Sequence, residues 1–143
     1  MENMSWQFWA VMSAVFAALT AIFAKVGVAG VNSDFATFIR TVVILGCLAA
    51  FVYATGQFQD PGSVTPRTYA FLVLSGLATG ASWVCYFRAL KSGDAAQVAP
   101  IDKLSVVLVA IFATAFLGER PSPAGWAGIS LIAAGAVLIA TGI

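Results

Sequence analysis

Five apolar runs follow one another through this chain, each about 20 residues or more, the length a helix needs to cross roughly 30 Å of hydrocarbon. They fall at about 6–28, 35–56, 68–90, 96–118 and 124–143. Of 143 residues, 61% are hydrophobic and 9% charged, too little polar material to clothe a water-facing surface. In lipid every backbone N–H and C=O of a run must be satisfied within it, and a helix does this alone. The expected fold is all-α, an integral membrane bundle of five transmembrane helices, with residues 1–143 as one domain.

The connections are short, so successive helices are expected to be antiparallel neighbours. Only QFQDPGSVTPR, Gln57 to Arg67, is longer, and its two prolines and glycine mark a loop. Asn32 and Ser33 are placed to cap the second helix, Asp94 the fourth, and Ser122-Pro123 starts the fifth. Trp6, Trp9, Tyr69 and Trp126 stand near run ends, where interfacial aromatics anchor. The start MENMSWQFW is acidic and lacks a small-residue cleavage site, so the first run reads as a retained span. No soluble domain is expected after the fifth.

Several function classes drop out. A net charge of +1 with no basic tail gives nucleic acid nothing to hold, and the absence of histidine removes imidazole metal and haem sites. Cys47 and Cys85 lie mid-run and read as tolerated small side chains, not a redox pair. No HExxH, GxSxG or phosphate loop occurs. We expect no catalytic residues, no metal and no cofactor; the chain is not an enzyme.

Charge is arranged by side. Counting spans puts Glu2, Asp60, Arg67, Glu119 and Arg120 on the N-terminal side of the membrane, and Lys25, Asp34, Arg40, Arg88, Lys91, Asp94, Asp102 and Lys103 on the other. Five Lys/Arg against two orient the N-terminus outside and the C-terminus in the cytoplasm of a cell-membrane protein. Lys25 and Arg88 are within snorkelling reach of the headgroups, whereas Arg40 and the Asp102/Lys103 pair sit deeper and need a partner or water. Lys25, Arg40, Arg88 or a second subunit's Lys103 could pair with Asp102; Lys103 of the same helix is turned about 100° away. Pro100 lacks an N–H and loosens the helix beside them. The two readings are anchoring at the headgroups and a polar vestibule.

In the third run Thr79, Ser82, Trp83 and Tyr86 share one helical face, which suits either helix packing or an aromatic wall with polar groups around a small-molecule substrate. Gly76 and Gly80 form GxxxG there, and Gly128 and Gly135 thin the last helix. These serve either packing within the chain or a dimer interface, for which the last helix is the expected choice.

The run LGERPSPAGWAGISLIAAGAVLIA, Leu117 to Ala140, resembles the C-terminal signature of the EamA domain of the drug/metabolite transporter superfamily. APIDKLSVVLVAIFATAF and AKVGVAGVNSDFATFIRT are similar to its single-domain, five-span bacterial members, so the resemblance covers nearly the whole chain. It implies a small-molecule transporter, of metabolites or drugs. Longer members look like two such repeats of opposite orientation with the substrate site between halves, so this half-size chain is expected to self-associate as a dimer in the lipid bilayer and work by alternating access. An accessory subunit or a lipid flippase would share the fold. Related small multidrug exporters carry a proton-coupling glutamate in the first helix. WQFWAVMSAVFAALTAIFAKVGV contains no acid, so the candidate intramembrane carboxylate is Asp102.

Overall fold

The structure, a computed structural model, describes residues 5–141. Glu2 and the last two residues of the fifth run lie outside the described residues. The described residues form helices and turns without strands: α1 (Trp6–Val28), α2 (Ser33–Ala54), a 3₁₀ turn (Pro61–Ser63), α3 (Pro66–Ser92), α4 (Ala95–Asp102), α5 (Ser105–Phe112) continued by a π turn (Ala113–Leu117), and α6 (Pro123–Thr141). Five stretches are long and apolar enough to cross a membrane, the fourth being Ala95–Leu117, and the runs read from sequence match them within two residues at each described boundary.

Local chemistry explains the boundaries. The Asn32 side chain accepts from the backbone N–H of Asp34 (2.9 Å) and Phe35 (3.2 Å), satisfying two orphan donors of α2. Ser122 accepts from Gly125 N–H (3.1 Å) ahead of Pro123 at the first position of α6. Asp94 holds the N-cap backbone position of α4 but makes no side-chain cap bond. At the other end of the fourth span the π turn closes on Gly118, whose φ of 70° is the left-handed conformation that glycine adopts without penalty, and Glu119 N–H reaches back to the Ala113 carbonyl (3.1 Å). The Gly-Glu pair of the C-terminal signature is thus a helix stop.

The chain divides into two compact units. One is Phe23–Lys91, holding the end of α1, α2 and nearly all of α3. Its buried residues are Ala24, Val28, Phe87 and Leu90, with Ser33 and Thr37; Leu90 is 0% exposed. Thr37 Oγ donates to the Ser33 carbonyl (2.9 Å), so the buried hydroxyl is satisfied inside its own helix. The second unit is built from the described residues of Met1–Ile22 and Ser92–Ile143. Here α6 packs closely on α4 and α5, and the buried side chains are alanines: Ala21, Ala110, Ala113 and Ala136. Small residues let backbones approach where lipid supplies no hydrophobic drive for association.

The fourth span is not one helix. The apolar run at 96–118 predicts one continuous helix with loosened first turns; the structure ends α4 at Asp102 and starts α5 at Ser105. Through the break Lys103, Leu104, Val106 and Val107 donate their N–H groups to carbonyls three residues back, at 3.0–3.1 Å, instead of four. Pro100, inside α4, removes the donor that would bind the Ala96 carbonyl, which favours this tightening.

Candidate functional site

Within Phe23–Lys91, four basic side chains gather where α1 and α3 end and α2 begins. Lys25, in the last turn of α1, donates from Nζ to the Leu90 carbonyl (2.8 Å). Lys91, in the last turn of α3, donates to the Val31 carbonyl (2.8 Å). Both bring positive charge to helix C-termini with open carbonyls, the favourable end of the macrodipole. Arg88 meets Asp34 in a two-pronged ion pair, Nε to Oδ1 at 2.9 Å and Nη2 to Oδ2 at 2.7 Å. The planar fork matches the carboxylate, and the pair links the start of α2 to the end of α3.

Arg40 is placed differently. It lies six residues, about 9 Å, further along α2 than Asp34, and its guanidinium carbon stands 4.3 Å from the ring centroid of Trp83 and 5.4 Å from that of Phe87. A charge deep in a span costs about 2.5–3.5 kcal/mol on insertion scales, and a cation–π contact returns about 0.5–2 kcal/mol. The rings therefore make the position tolerable without fully compensating it. Tyr86 is half-buried, with its ring 6.5 Å from Phe87 and edge-on to it. Thr79 and Ser82, on the same α3 face, are exposed, and Thr79 Oγ donates to the Ser75 carbonyl of its own helix (2.9 Å). Of the aromatic and polar face read from sequence, Trp83 and Tyr86 thus stand close to Arg40 or its ring partner Phe87.

In the second unit, Asp102 and Lys103 occupy the break itself. Lys103 Nζ lies 3.3 Å from Asp102 Oδ2, with the aspartate and lysine side chains 39% and 55% exposed. This corrects the expectation that Lys103, turned about 100° from its neighbour, is out of reach: at the end of α4 the long lysine side chain folds back to the adjacent carboxylate. The pair is a local one beside Pro100, and Arg88, an expected partner of Asp102, is committed to Asp34.

The glycines expected to pack are open. Among the described residues, a Cβ added at Gly76, Gly80, Gly128 or Gly135 would meet nothing within 4 Å, so close packing inside each glycine's own unit does not fill those positions. Among the described residues no three His, Cys, Asp or Glu side chains converge as a metal site would require.

Sequence reasoning missed the Asp34–Arg88 pair and Phe87. The signal was present: in an antiparallel α2–α3 hairpin, opposite charges near the start of one helix and the end of the other reach the same edge.

These features are those of a membrane protein with charged and broken elements inside its spans, and comparison with known proteins agrees. No solved structure matches the chain. A protein of Sinorhizobium described as an uncharacterized transporter in the cobO 3' region is 67% identical over 138 residues, covering 96% of this chain and 98% of that protein. The EamA-like transporter family matches residues 4–141, and the chain, a multi-pass membrane protein, belongs to that family.

Proposed function

We propose that this chain is a half-size small-molecule transporter that works as a homodimer by alternating access. The observation that carries the reading is the break at Pro100–Leu104. Backbone that leaves the helix inside a span is tolerated where it is buried in protein or lines a wet cavity, and transporters build substrate and coupling-ion sites on such broken helices. Asp102 and Lys103 stand at this break, exposed and ion-paired with one another. They serve as a polar element of the pathway, and the break serves as the hinge.

Asp102→Asn preserves shape and removes the charge. In proteoliposomes screened with a broad panel of metabolites and drugs, flux of the transported solute is expected to fall at least about tenfold, equivalent to about 1.4 kcal/mol of barrier. Unchanged flux for every transported solute would remove Asp102 from the pathway.

The odd number of spans sets what such a dimer requires. Two copies inserted in opposite senses reproduce the inverted repeat that longer family members carry in one chain. The five-to-two charge count favours one orientation, but several of the five basic residues lie within spans and count less than loop charges, and a weak bias is what insertion in both senses requires. Open glycines at Gly128 and Gly135 on α6, and at Gly76 and Gly80 on α3, support close contact with the second copy. C-terminal fusions to a reporter active only in the cytoplasm and to one active only outside are expected to give comparable signals. A one-sided signal would sink the opposed dimer.

A further inference from the structure

Arg40 differs from the other cations of its unit. Lys25 and Lys91 donate to carbonyls near helix ends, and Arg88 grips Asp34 through both oxygens. Arg40 is half-buried, further in, and its observed contacts are the faces of Trp83 and Phe87. Among the described residues no carboxylate lies within ion-pair distance of it, and Asp34, the acid of α2, is already held by Arg88.

A ring face supplies no lone-pair acceptor, so a guanidinium set over Trp83 and Phe87 keeps the N–H donors of its edge for another partner. That edge offers parallel donors matched to two oxygens of one anion, and such charge-assisted bonds strengthen in surroundings poor in water.

We infer that Arg40, backed by Trp83 and Phe87, is a binding site for the oxyanion of a small soluble substrate, a carboxylate- or phosphate-bearing metabolite. The inference rests on the transporter reading and names its substrate class. Lipid headgroups carry the same phosphate chemistry, so the experiment has to separate the two sources.

The purified protein in phosphatidylcholine nanodiscs is treated with phenylglyoxal, and modification of Arg40 is followed by peptide mass spectrometry. The probes are benzoate and inorganic phosphate, with benzamide and benzylamine as the neutral and cationic controls. At saturation, benzoate or phosphate is expected to slow Arg40 modification at least about fivefold, since bound ligand protects in proportion to occupancy. Benzamide and benzylamine leave the rate unchanged, as do all four probes at Arg120 in the turn before α6. Measured by titration calorimetry, which needs no arginine at position 40, the dissociation constant of the protecting anion rises about tenfold or more in Arg40→Gln, with Arg40→Lys in between, because lysine keeps the charge and loses the fork. Equal rates at Arg40 with all probes overturn the inference. Protection by phosphatidylglycerol in the bilayer, with none from benzoate or phosphate, also overturns it in favour of a headgroup contact. The protection readout uses the unaltered chain, so it stands even if a variant fails to fold. Protection without flux of any solute would refute transport and leave the site; flux without protection would do the reverse.

Discussion

Leu90→Ala is expected to lower the unfolding free energy by about 2–5 kcal/mol, the range for truncating a fully buried leucine. Leu90 is 0% exposed and Val28 1%, the most fully buried side chains of a unit with few buried ones. The Lys25 bond to the Leu90 carbonyl involves backbone and survives the substitution, so the loss reports packing. Leu77, in the same helix but 67% exposed, is the control. Its methyl groups exchange one lipid contact for another, and Leu77→Ala is expected to shift stability by less than about 0.5 kcal/mol. Reversible unfolding in mixed micelles measures both. Equal shifts at the two positions would mean that Leu90 is not a packing centre.

Pro100→Ala is expected to act in the opposite direction on stability and to damage transport. Alanine restores an N–H able to bond the Ala96 carbonyl and removes the ring from the α4 interior, a change worth up to about 3 kcal/mol in a helix. A straighter, continuous fourth span loses the flexibility assigned to the break, so flux should fall while the thermal midpoint rises. A variant that is more stable and equally active would show that the break is only a packing accommodation. A less stable variant would show that α6 packs against the bent form and requires it.

The span pattern and several caps were legible in the sequence because both are local. Hydrophobic run length locates α1 to α3 and α6, and side-chain oxygens at Asn32 and Ser122 declare the helix starts they cap. Asp94 shows the limit of that reasoning, since its position is an N-cap and its side chain does not close the bond. Pro100 announced a loosened helix, but whether a proline kinks a span or splits it depends on what packs beside it, here α6. Interhelical partners were less legible. The stacking of Arg40 on Trp83 depends on the register of α2 against α3, and one-dimensional periodicity identifies faces without aligning two helices along their axes. The Asp34–Arg88 pair marks that register in the folded chain.

That pairing also determines how the α2–α3 hairpin behaves as a lever. Long side chains pin it at one end, where Arg88 holds Asp34 and Lys91 holds the Val31 carbonyl. Any rotation of α2 about this pin moves its residues in proportion to their distance from Asp34. Arg40 is about 9 Å out and Ala54 about 30 Å, so Arg40 travels roughly a third as far as the distal end. A site near the fulcrum can keep hold of a solute while the far end of the hairpin swings.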